Sequence, residues 1–109
     1  MQKKILFCLL LFAACRQLNA QPIQRWKVAD LLQYAQQTDS ALIINFWATW
    51  CGPCIEELPY FHSLAAKYKN QKVKLLLVSL DFADYYPQRI RAFANKRKFT
   101  ADIVWLNEE

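Results

Sequence analysis

An α/β fold with a parallel sheet is predicted by three features of this 109-residue sequence. Two runs, residues 41–48 (ALIINFWA) and 73–80 (VKLLLVSL), are almost continuously apolar, as strands covered on both faces are. Stretches with helical spacing alternate with these runs, the pattern of crossover helices packed on a sheet. A Cys-x-x-Cys sequence, Cys51-Gly52-Pro53-Cys54, stands where the first run gives way to a helical stretch. The length suits one domain at most. A 55% hydrophobic content supports a packed core, and a single glycine, Gly52, argues for regular elements over loops.

The first twenty residues read as an export leader. Lys3 and Lys4 precede an apolar segment, 5–14, that is too short to span a bilayer. Leu18-Asn19-Ala20 offers a cleavage site, giving a signal peptide over 1–20 and a domain over 21–109. Phe12-Ala13-Ala14-Cys15 resembles a lipoprotein box, so a lipid anchor at Cys15 is the competing reading, and an uncleaved anchor a third. The formal charge of +5 owes much to this leader: without Lys3, Lys4 and Arg16, 11 basic residues face 9 acidic ones. That balance argues against a nucleic-acid partner. Cys8 and Cys15 fall in the leader, so the domain keeps one pair, Cys51 and Cys54, and no disulfide framework to fold on.

Residues 21–26 form a lead-in, where Pro22 opposes helix. Val28, Leu31, Leu32 and Ala35 follow i, i+3, i+4, i+7 spacing, predicting an amphipathic helix over 27–37 with these four inward. Thr38-Asp39-Ser40 is a turn, and the strand 41–48 follows. A second helix runs from the Cys pair to about residue 70, with Ile55, Leu58, Phe61, Leu64, Ala65 and Tyr68 apolar and Pro59 expected to kink it. Residues 69–72 turn into the strand 73–80, and 81–86 form a loop. Pro87 opens a third helix with Ile90, Phe93 and Ala94 inward; its basic face, Arg89 to Lys98, is a solvated surface or a docking patch. Ile103-Val104-Trp105-Leu106 is a short β-prone run.

The chemistry lies at the strand–helix junction. A cysteine at the amino end of a helix meets unpaired N–H groups and the positive end of the dipole, which stabilise its thiolate. A second cysteine one turn on is able to close a disulfide with it. Gly52 supplies free choice of φ and Pro53 suits the first helical turn. Zinc needs about four ligands; this pair and the one histidine, His62, do not supply them, and His62 itself reads as an exposed helix residue.

The stretch Phe46-Trp47-Ala48-Thr49-Trp50-Cys51-Gly52-Pro53-Cys54 resembles the thioredoxin superfamily, and Cys51-x-x-Cys54-x-x-Glu57-x-Pro59 resembles its exported TlpA/ResA-like branch. The resemblance covers residues 26–106 and implies a thioredoxin-like three-layer sandwich. It implies thiol–disulfide exchange with no cofactor, Cys51 attacking and Cys54 resolving, with disulfide-bearing proteins as substrates. A thiol of pKa about 8.5 is only about 3% ionised at pH 7, and a pKa near 7 makes it about half ionised. Nucleophilicity falls with pKa and offsets part of that gain. The Gly-Pro between the cysteines resembles thioredoxin, a reductant at about −270 mV against about −120 mV for the oxidant DsbA. A reductant in the periplasm or cell envelope implies electrons from a membrane-borne thiol donor.

Glu57 shares a helix face with Cys54, and the resemblance implies that it moves protons for the pair; the alternative is a solvated glutamate favoured by the helix dipole. Thioredoxin carries an aspartate where this chain has Asn45, which does not ionise, so Glu57 is expected to replace it; Asn45 otherwise reads as a satisfied core amide. Trp50, with Gly52 and Pro53, is expected to form the substrate-docking surface, and Trp47 to support the core. The family also implies a cis-proline loop facing the pair, a β-hairpin and a last helix. After the motif only Pro59 and Pro87 remain, neither placed for that loop. The expectation is therefore an incomplete domain lacking the C-terminal hairpin and last helix. The rival reading is a non-catalytic truncated fragment or sheet-completing interaction module.

Overall fold

The computed structural model describes residues 22–109. The leader read over 1–20, with Cys8, Cys15 and the cut after Ala20, lies outside them. The elements are β1 (Gln24–Trp26), α1 (Val28–Gln37), β2 (Ala41–Trp47), α2 (Gly52–Lys67), β3 (Val73–Ser79), α3 (Gln88–Lys96) and β4 (Asp102–Leu106). Short 3-10 turns at Lys69–Gln71 and Ala83–Tyr85 join α2 to β3 and β3 to α3.

All strand pairs are parallel, in the order β1-β4-β3-β2. The central strand β3 is buried along Leu75 to Ser79, which is why its sequence is a run and not an alternation. Period-2 geometry sends its side chains to two cores. Leu75 and Leu77 join Ile23, Trp47, Leu58, Ile90 and Trp105 on the face covered by α2 and α3. Leu76 and Val78 join Val104 and Leu31 on the face covered by α1. The result is the expected sandwich of helix, sheet and helix.

Several expectations change. Residues 24–26, read as lead-in, form β1, pairing Gln24 with Val104 and Trp26 with Leu106. Three residues carry too little pattern to announce a strand; the partner makes it one. In α1 only Leu31 is buried, while Val28 (44%), Leu32 (57%) and Ala35 are exposed. The helix meets the sheet along a stripe narrower than its apolar face. In β2, Phe46 is 49% exposed, because β2 is the edge strand and no described element covers that end of its outer face. Leu64 of α2 is also largely exposed. Pro59 lies inside α2, which runs from Gly52 to Lys67.

The start of α1 is held by Asp30, whose carboxylate accepts the Lys27 N–H at 2.8 Å and faces the positive end of the helix. Pro87 caps α3 as expected, and its bond to Tyr86 is cis. The inward face of α3 is the one read from sequence, with Ile90 and Ala94 buried and Phe93 packed against the core.

Candidate active site

The site forms where β2 and β3 end. The Leu80 N–H donates to the Trp47 carbonyl at 2.8 Å, closing the parallel pair, and the chain then separates into two loops. Outside the carboxyl ends of parallel strands is where α/β sheets place their sites. The Cys51 N–H donates to the Ala48 carbonyl at 3.1 Å, a turn that delivers Cys51 to the N-cap of α2.

Cys51 and Cys54 are joined by a disulfide with their Cα atoms 5.3 Å apart. Both are half-buried; Cys54 leans on the main core, and Cys51 caps the helix. Because Pro53 has no N–H, the first-turn donors near the sulfurs are those of Gly52 and Cys54. Gly52 departs from expectation: its φ is not positive, and a Cβ there would meet nothing within 4 Å. Its conformational freedom is unused, and what it provides is open space beside the disulfide. Pro53 is exposed in the first turn of α2.

A residue that sequence reading passed over as loop organises this junction. Asp81 is 5% exposed, and its carboxylate is surrounded by donors. Thr49 gives it a backbone N–H at 3.0 Å and a hydroxyl at 2.6 Å, and Ser79 gives a hydroxyl at 2.7 Å. The Trp105 indole N–H donates to the Asp81 carbonyl at 2.8 Å. The loop after β3 is thus pinned to the turn two residues before Cys51. The available signal was an acid directly following a buried strand, with hydroxyl residues at Ser79 and Thr49.

Trp47 is 1% exposed and packs on Phe93 and Phe99, the core support expected of it. Trp50 is 55% exposed beside the disulfide, its ring stacked on Phe82. Glu57 is exposed on α2 one turn beyond Cys54 and makes no hydrogen bond or ion pair with a described residue. Asn45 is buried, but its side-chain oxygen has no partner among the described residues, so it is not the satisfied amide of the simpler reading. His62 is not exposed either: it is half-buried, Nδ1 lies 2.9 Å from the Leu58 carbonyl, and the ring sits against Phe99.

A cavity of about 440 Å³ lies at the other end of the strands, around Gln24, Thr100 and Asp102, and includes none of the cysteine-site residues. No group of three or more His, Cys, Asp or Glu among the described residues is placed to hold a metal ion.

Residues 16–106 match the model of the AhpC/TSA family. The chain belongs to the AhpC/TSA family. This chain is 44% identical over 50 residues to thiol-disulfide oxidoreductase ResA of Oceanobacillus iheyensis, a match covering 46% of this chain and 26% of that protein. It is 37% identical over 62 residues to sporulation thiol-disulfide oxidoreductase A of Bacillus subtilis, covering 57% and 38%. Among solved structures, a protein assigned as thiol:disulfide interchange protein DsbE from Chlorobium tepidum superposes with a TM-score of 0.58 at 26% identity, over 66% of this chain and 49% of that one. The matches thus span between about a quarter and two fifths of these curated relatives. The thioredoxin-like architecture of the AhpC/TSA chain and its place beside ResA-type relatives agree with what the motif implied.

Proposed function

We propose that this protein is an exported thiol–disulfide oxidoreductase that reduces disulfides in partner proteins. The observation that carries the reading is the Cys51–Cys54 disulfide at the head of α2, half-exposed and with open space at Gly52. In the reduced protein, the Cys51 thiolate attacks one sulfur of a substrate disulfide, forming a mixed disulfide and releasing the other substrate sulfur as thiolate. Cys54 then gives up its proton and attacks the Cys51 sulfur. The substrate leaves as a dithiol, and the protein holds the disulfide. The two electrons come back from a dithiol donor, proposed to be membrane-borne.

Cys51 is the residue to attack, since it caps the helix and Cys54 sits inside the first turn and against the core. Trp50, Gly52 and Pro53 form the surface that meets the substrate. Glu57 is the proposed acceptor of the Cys54 proton, directly or through water, because Asn45 at the matching strand position has no acid to offer. Its exposure and the lack of a partner among the described residues leave it free for that exchange. Glu57→Gln is expected to slow turnover several-fold and to alter its pH profile; an unchanged rate and profile sink this role.

The leader supports export, with either cleavage after Ala20 or lipidation at Cys15. A second reading, a non-catalytic module that completes another sheet, is favoured by the outer edge of β2, unpaired among the described residues. Insulin reduction by dithiothreitol separates the two. The protein is expected to accelerate it over a Cys51→Ser/Cys54→Ser control, and no acceleration overturns the oxidoreductase reading.

A further inference from the structure

Beside the disulfide, a ladder of side chains leads away from Trp50 over residues that the exchange chemistry does not use. Trp50 stacks on Phe82, with centroids 5.9 Å apart and planes at 22°. Phe82 meets Tyr85 edge-on at 5.8 Å. Over Tyr85 lies the Arg89 guanidinium, 3.8 Å from the ring centroid. Trp50 is 55% and Phe82 62% exposed. Large aromatic rings held in water by a rigid frame are what protein contact surfaces are rich in. The frame here is the Asp81 clamp, which fixes Phe82 on one side and Thr49-Trp50 on the other.

We infer that the ladder Trp50–Phe82–Tyr85–Arg89 is the docking track for an extended segment of the partner protein, with an apolar or aromatic side chain beside its cysteine and an acidic side chain at the far end. The inference rests on the oxidoreductase reading and adds the chemistry of the substrate to it. Continuity argues for the occupant: Trp50 is bonded to Cys51, so a segment whose cysteine reaches the sulfurs lies beside the first ring of the ladder. Charge argues for its sequence. Arg89 carries a fixed positive charge and makes no hydrogen bond or ion pair with a described residue, only the ring contact. Its planar fork of donors suits a carboxylate. At about 3.3–3.6 Å per extended residue, the three ring steps place that carboxylate at most about four or five residues from the partner's cysteine. A track that ended on a bare ring would not select for charge.

Two measurements on the full chain test this. The first is binding of short peptides with serine in place of the cysteine, an aromatic residue next to it and glutamate or glutamine four residues away, followed by tryptophan fluorescence. The glutamate peptide is expected to bind about tenfold tighter, with the difference lost in Arg89→Gln and at high salt. Phe82→Ala is expected to weaken both peptides about tenfold and Phe82→Tyr to restore them. Equal affinity for the two peptides, or an unchanged Phe82→Ala, overturns the proposal. The second is the ratio of kcat/KM toward a disulfide-linked form of the glutamate peptide to that toward hydroxyethyl disulfide. It is expected to fall about tenfold in Phe82→Ala; a parallel loss of both rates means the ring only shapes the site, and overturns it as well. If the wild-type chain reduces neither compound, the oxidoreductase reading fails, and the binding arm still decides the track.

Discussion

Mixed with a disulfide-bonded protein, Cys54→Ser is expected to accumulate a covalent complex through Cys51, while Cys51→Ser accumulates none. The reduced variant retains the attacking thiol and has lost the group that frees it. The serine hydroxyl, at a thiol's position but with far higher pKa, does not displace a sulfur. In Cys51→Ser the remaining thiol is half-buried against the core and inside the first turn of α2, so attack does not begin there. Both variants are expected to lose turnover by on the order of a thousandfold or more, as nucleophile removal does elsewhere. Non-reducing gels with and without dithiothreitol read the result. A complex of equal yield from both variants would reverse or abolish the assignment of roles.

The second large effect lies outside the motif. Asp81→Ala is expected to lower the unfolding free energy by about 3–5 kcal/mol, measured by urea titration with near-UV circular dichroism. The substitution leaves the Thr49 N–H, the Thr49 hydroxyl and the Ser79 hydroxyl without their acceptor at a place that is nearly closed to water. Each orphaned group costs about 1–3 kcal/mol. Against a typical domain stability of about 5–15 kcal/mol, the sum is a large share. Asp81→Asn keeps the shape and one acceptor oxygen, so a smaller loss is expected. A change under about 1 kcal/mol in Asp81→Ala would show that the carboxylate's own burial cancels what its bonds contribute.

Much of this was legible because the signals were local. The apolar runs 41–48 and 73–80 became β2 and β3, the inward face of α3 was the one its spacing gave, and Trp47 took the buried place of the motif. What was not legible depended on partners distant in the chain. Asp81 becomes a clamp only when the end of β3 meets the turn after β2, 32 residues away. Residues 24–26 become a strand only beside β4. Periodicity showed that α1 has an apolar face but not how wide a strip of it the sheet covers, so Val28, Leu32 and Ala35 were placed inside and lie outside. Gly52 was assigned a backbone role from its residue type, and the helical φ it adopts suits any residue. His62 was read as exposed because a lone histidine amid helical spacing carries no record of Phe99, which packs on it from just beyond α3.

The pairing of β1 with β4 has a consequence for the order in which the protein comes into being. Residues 24–26 wait for residues 104–106, some eighty positions later, and closing a loop of that length costs about 4 kcal/mol in chain entropy. Three backbone pairs, the burial of Ile23 and the Tyr86 hydroxyl on the Ile23 carbonyl must repay it together. A chain emerging from a ribosome or a translocation pore amino end first therefore has its cysteines on the far side well before its sheet is able to close. Throughout that interval Cys51 and Cys54 travel on an unfinished scaffold, open to whatever thiols and disulfides the compartment holds.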